Sequence, residues 1–165
     1  TLIDNIHQPV VIEPMSKFPI VRDLQVDRSR MFETLKKIKG WVPVDGFNDL
    51  GPGEKILPKQ QSIAYKLSTC FTCGCCVQAC PQFNKDNNFI GAFAVSQARL
   101  FNMHPVGKSL KNERLDALMD EGGLHTCGNA QACVEVCPKS LPLTESIATM
   151  GRQVTFRMFS KFFED

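Results

Sequence analysis

The chain has 165 residues, 43% of them hydrophobic and 22% charged, with a formal net charge of +2. That length supports one to one and a half domains with a real core, and the scattered Lys and Arg carry no nucleic-acid signature. No apolar stretch approaches a membrane span, and neither a G-x-G-x-x-G nor a P-loop sequence is present, so no nucleotide site is readable.

Residues 1–22 differ from the rest. Val10-Val11-Ile12 is a β-branched run between Pro9 and Pro14, and Phe18-Pro19-Ile20-Val21 reads as extended, so a strand and a linker are predicted. A lone strand has nothing to pair with, which points to partners outside this sequence. From Asp23 on the pattern is helical. Asp27 is placed to cap a helix whose Met31, Leu35 and Ile38 share a face and which Gly40 ends. Residues 41–58 are turn-rich, with Trp41 as a core or domain-contact residue. A second helix is predicted over about 59–68, with Ile63, Ala64 and Leu67 inward, leading directly to Cys70.

A polar loop, Asn84–Asn88, precedes a third helix over about 91–102. Asn112 caps a fourth carrying Leu115, Leu118 and Met119, and Gly122-Gly123 breaks it. Thr144 opens a last helix with Ile147, Met150, Val154 and Met158 along it. Its end is rich in phenylalanine (Phe156, Phe159, Phe162, Phe163), which reads as packing back on the domain or, more sharply, as contact with a partner subunit.

Seven of the eight cysteines fall into two related runs. The first, Cys70, Cys73, Cys76 and Cys80-Pro81, has the C-x2-C-x2-C-x3-C-P spacing of bacterial ferredoxins. The second, Cys127, Cys133 and Cys137-Pro138, is the same pattern with Ala130 where the second thiolate belongs. Three closely spaced thiolates wrap one corner of an iron–sulfur cube, and in two-cluster ferredoxins the Cys-Pro cysteine of each run crosses to the other cluster. Applied to this chain, Cys70, Cys73, Cys76 and Cys137 hold a [4Fe–4S] cluster, and Cys80, Cys127 and Cys133 hold a [3Fe–4S] cluster. The vacant corner at Ala130 is the reason for three irons. Pro81 and Pro138 turn the chain away after each ligand.

Cys75 lies outside the spacing and reads as a small buried thiol. Structural zinc also uses paired C-x2-C elements, but it needs neither the repeated Cys-Pro nor a matched run with one member deleted. A disulfide framework is disfavoured by the low cysteine density, and a reducing, intracellular compartment is implied. His7 and His104 read as structural. His125, two residues before Cys127, is a candidate donor to a sulfur or a quinone oxygen. No Ser/His/Asp, Cys/His or paired-carboxylate constellation is evident, so no catalytic site is expected in this chain itself.

The cysteine runs, with Val21–Ser29, Gln97–Phe101, Glu113–Met119 and Cys137-Pro138-Lys139, resemble the iron–sulfur subunit of succinate dehydrogenase and fumarate reductase. The resemblance implies a mainly α, helical ferredoxin-like domain with two clusters over residues 23–165. Residues 1–22 would be the last strand and linker of a plant-type ferredoxin domain. The C-x4-C-x2-C…C set of that domain's [2Fe–2S] cluster is absent from this sequence, so either the sequence is a piece of a longer one or the subunit is divided between two polypeptides.

The resemblance further implies a relay. A flavoprotein subunit with FAD oxidises succinate, and electrons pass through the clusters to quinone at a membrane-anchor cytochrome b subunit containing haem b. The complex would lie peripherally on the cytoplasmic face of the bacterial inner membrane. Ubiquinone-linked relatives carry Trp soon after the first Cys-Pro, and often His directly after the first cysteine of the second run. Here those places hold Gln82-Phe83-Asn84-Lys85 and Gly128, which looks more like the menaquinone-linked class. Phe83 and Asn84, near Cys80, are candidates for the quinone side. Alternatives are the fumarate-reducing direction, the iron–sulfur subunit of another flavin-linked dehydrogenase, a free-standing ferredoxin and a non-redox zinc module that binds partners.

Overall fold

The computed structural model describes residues 9–43 and 54–164. In chain order it contains strands β1 (Ile20–Arg22) and β2 (Gln25–Val26) and helices α1 (Ser29–Lys37), α2 (Pro58–Ser68), α3 (Cys75–Ala79), α4 (Ala92–Met103), α5 (Lys111–Met119), α6 (Ala132–Glu135) and α7 (Leu143–Glu164). Single 3-10 turns at Gly107–Leu110 and Leu124–Thr126 precede α5 and the second cysteine run.

Helix α4 is the axis of the core. Its sequence is apolar nearly all round, as suits a helix with neighbours on every side, and Phe93, Ala94, Val95 and Ala98 are each at most 1% exposed. It packs against α7 most extensively, and also against α1, α2, α3 and α5. Gly91 starts it with φ +84°, and a Cβ there would lie 2.5 Å from Val77 Cγ1. Only glycine lets α3, which carries Cys76, sit this close to the start of α4.

Arg114 is fully buried on α5. Its guanidinium donates to the carbonyls of Lys39 (2.9 Å), Trp41 (2.7 Å) and Gly107 (2.6 Å) and to Asn102 Oδ1 (3.2 Å). A planar cation with several donors can satisfy this many oxygens at once. It ties α5 to α4 and to the chain leaving α1.

Several boundaries differ from the sequence-based expectation. Residues 10–15 form no regular strand; the described strands are Ile20–Arg22 and Gln25–Val26, paired antiparallel across a turn with Asp23 at φ +45°. The Asp27 carboxylate does accept from the backbone and hydroxyl of Ser29. After α1, however, the left-handed residue is Lys39 (φ +51°), not Gly40, because Gly40 N–H closes the turn onto Leu35 O at 2.8 Å. Asn112 lies inside the first turn of α5, which has no side-chain cap. Trp41 is 42% exposed, with the Lys39 ammonium 5.5 Å from its ring centre. His7 and most of the turn-rich stretch, residues 44–53, lie outside the described residues.

On α7, Met150 is buried and Ile147 and Val154 are partly buried, but Met158 is 57% exposed. The phenylalanines do not fold back: Phe156, Phe159, Phe162 and Phe163 are 60–83% exposed, because α7 stays one unbroken helix over Leu143–Glu164.

Candidate metal centres

The two cysteine runs form the same backbone loop. In the first, Thr72 (φ +55°) and Gly74 (φ +93°) are left-handed; in the second, so are their counterparts Asn129 (φ +53°) and Gln131 (φ +60°). Two left-handed residues within three positions curl the chain sharply. Gly74 adopts this at little cost, whereas Gln131 bears strain of about 1 kcal/mol or more. Each loop runs into a short helix whose second residue is a cysteine, Cys76 in α3 and Cys133 in α6, and each of these is 8% exposed. In this register Ala130 matches Cys73, and Ala132 matches Cys75.

Two concavities result. Cys70, Cys73 and Cys76 of the first run line one together with Cys137 of the second; Phe71, Phe93, Leu141 and Leu143 supply apolar wall. Cys127 and Cys133 line the other with Cys80 of the first run, and Ala130 forms part of the same wall. Each holds about 370 Å³ of atom-free space, some of it open to solvent. The Cys-Pro cysteine of each run thus reaches the other run's cavity. Cys75 lines neither.

Burial pushes the Cys76 thiol up to about 12, and the neighbouring sulfurs of Cys70, Cys73 and Cys133 add to it. Cys133 is raised by burial and then by Cys80 and Cys127. Cys70 is raised by burial, partly opposed by hydrogen bonds from the Thr72 backbone and the Gln97 side chain. The Cys137 sulfur accepts from Leu141 N–H at 3.5 Å. Apolar walls around clustered thiols disfavour bare thiolates, and a bound polynuclear cation reverses that balance. Among the described residues no three His, Cys, Asp or Glu side chains converge to hold a single metal ion. Four thiols line the first cavity and three line the second, a donor set that fits a compact iron–sulfur cluster at each.

The residues suggested for the quinone side do not line the second cavity. Phe83 is 1% exposed; its ring lies 6.1 Å from that of Phe18 and beneath the Arg30 guanidinium at 4.0 Å. Asn84 is half-buried and spends its Oδ1 on Asp86 N–H at 2.9 Å. His125 is exposed on the 3-10 turn. Their sequence neighbours Gln82 and Gly128 do line the cavity, and a Cβ at Gly128 would come within 2.9 Å of Gln82 Nε2. The chain just after Cys80-Pro81 and the chain just after Cys127 thus lie side by side in this wall. Sequence reasoning also missed Gln97 and Lys17 as neighbours of the ligand residues, since only folding brings them there.

Residues 66–141 match the 4Fe-4S dicluster domain family. The succinate dehydrogenase iron–sulfur subunit of Bacillus subtilis is 56% identical over 98% of this chain and 64% of its own length. The chain belongs to the succinate dehydrogenase and fumarate reductase iron–sulfur subunit family. The fumarate reductase iron–sulfur subunit of Wolinella succinogenes is 27% identical over 88% of this chain and 62% of its own. Among solved structures, a chain of the Mycobacterium smegmatis Sdh1 complex in the apo form superposes with a TM-score of 0.71 at 27% identity, over 89% of this chain and 62% of that one. The chain thus spans somewhat under two thirds of these family members. No helix among the described residues is long and apolar enough to cross a membrane.

Proposed function

We propose that this chain is the two-cluster, electron-transferring part of a succinate:quinone oxidoreductase. Cys70, Cys73, Cys76 and Cys137 hold a [4Fe–4S] cluster, and Cys80, Cys127 and Cys133 hold a [3Fe–4S] cluster. The observation that carries this reading is the pair of cavities, ringed by four and three thiols, with Ala130 in the wall of the second. The clusters supply one-electron carriers. The chain supplies their ligands, an apolar surround and hydrogen bonds to sulfur, which together set potentials over a wide range.

Electrons enter from a flavoprotein subunit and leave to a quinone, menaquinone in our reading, at a membrane-anchor cytochrome b subunit. This holds the protein peripherally at the cytoplasmic face of the membrane. The part of the relatives not spanned here is where a [2Fe–2S] ferredoxin domain belongs, with residues 1–22 as its last strand and the linker to this domain. The 56% identity to a succinate dehydrogenase subunit favours succinate oxidation over fumarate reduction.

Electron paramagnetic resonance of the complete subunit, prepared without oxygen, tests this. A three-iron signal in the oxidised protein and a second species on reduction are expected, with acid-labile sulfide present. Zinc without sulfide, or two full four-iron clusters, overturns it.

A further inference from the structure

The segment before β1 is clamped to α3 by a set of contacts that the relay does not explain. Phe18 is 5% exposed and inserts beside Phe83. Lys17 N–H donates to Gln78 Oε1 at 3.1 Å, and Gln78 Nε2 donates to Ser16 Oγ at 2.8 Å. These bonds fix the Lys17 backbone alongside α3, and its ammonium donates to the carbonyl of Cys80. Cys80 is the residue that leaves α3 for the second cavity.

No charged side chain lines that second cavity. Lys139 already lines the first, and the Arg28 guanidinium donates to Thr72 O beside it at 3.0 Å. A half-buried cation bonded to the peptide of a ligand acts through a lower effective dielectric than water, and groups bonded to ligands tune the centre they support.

We infer that Lys17 is a positioning residue for electron transfer, its ammonium on the Cys80 carbonyl favouring the reduced form of the second centre over that of the first. This rests on the reading that both cavities hold clusters. A cation near a cluster stabilises the added electron, so this ammonium raises the second centre as an acceptor and offsets the Lys139 and Arg28 cations beside the first. The alternative role is plain closure of the C-terminal end of α3, which any hydrogen-bond donor performs.

The test is a redox titration, followed by electron paramagnetic resonance, of the complete cluster-loaded subunit as wild type, Lys17→Gln, Lys17→Met and Lys17→Arg. Lys108→Gln, which removes a surface cation, is the charge control. The Gln and Met variants are expected to lower the midpoint of the second centre by about tenfold in its one-electron equilibrium, about 59 mV, with a smaller change at the first. Lys17→Arg and Lys108→Gln keep the wild-type values. An unchanged second midpoint, equal shifts at both centres, or loss of the second cluster from both Lys17→Gln and Lys17→Met overturns the inference and leaves Lys17 a structural clasp. A wild-type protein without the two clusters is a failure of the proposed function itself, read before any variant is compared.

Discussion

Cys76 and Cys133 occupy equivalent positions in two short helices that pack on each other, yet they line different cavities. Charge on Cys133 raises the Cys76 thiol, so the two sulfurs are electrostatic neighbours across a common wall. A chain that must pass an electron between two centres needs them close. The pairing of α3 with α6, forced by the repeated loop, brings this about.

Cys75 and Cys76 are adjacent in sequence and separable in role. Cys75→Ala is expected to leave both clusters in place and to change stability by less than about 1 kcal/mol, since its counterpart is already Ala132 and it lines neither cavity. Cys76→Ala is expected to lose the first cluster. Iron and acid-labile sulfide content, with the resonance spectrum of each variant, distinguishes them; loss of a cluster from Cys75→Ala contradicts the register.

Ala130 faces the second cavity from the position that Cys73 holds at the first. Ala130→Cys places a thiol there, on a backbone that already has the required left-handed turns on both sides. The oxidised three-iron signal is expected to diminish as the site takes up a further iron. An undiminished signal in a variant whose new thiol is buried and reduced counts against the matched register.

Arg114 satisfies three carbonyls and an amide oxygen inside the core. Arg114→Leu fills the space but strands these acceptors, and the expected loss is about 3 kcal/mol in a denaturant titration. Arg114→Lys keeps the charge without the fork and is expected to recover less than half of that. A change under 1 kcal/mol for Arg114→Leu, on the same order-of-magnitude scale, refutes the hub role.

Asp116 on α5 holds the far part of α7 through Arg157 and Lys161, each at 3.1 Å. Burial works to raise its carboxyl, but hydrogen bonds and charge from those two partners outweigh this and hold it below the ordinary range. A depressed carboxyl contributes stability above its unfolded value of about 3.9, lost as pH falls through the lower folded value. Because the pair is partly exposed, Asp116→Asn is expected to cost less than about 1 kcal/mol near neutrality. The difference from wild type should vanish in denaturant titrations carried out well below pH 4.

The grouping of seven cysteines around two cavities was legible because its information is local. Spacing along a short loop decides which thiols converge, and Cys-Pro decides where the chain leaves, so the two cavities could be anticipated from a few letters. Helices α2 and α7 were legible from apolar periodicity, and the predicted bounds of α4, which has no such stripe, fell within a residue of Ala92–Met103. The sequence could not tell that Gln131 would take the left-handed conformation of Gly74, since that strain is held by the surrounding loop and not by the residue's own preference.

Other features follow only from contacts between distant parts of the chain. Arg114 reads as a surface helix residue until Lys39 and Trp41 arrive over it, and Phe83 reads as a loop aromatic until Phe18 and Arg30 enclose it. The exposed phenylalanines of α7 looked able to turn back, but a helix continues straight unless something interrupts its hydrogen bonds. Local spacing determined which atoms this chain offers to a metal centre. Long-range packing alone decided which cations and carbonyls surround them, because burial and charge proximity depend on neighbours that the linear order does not name.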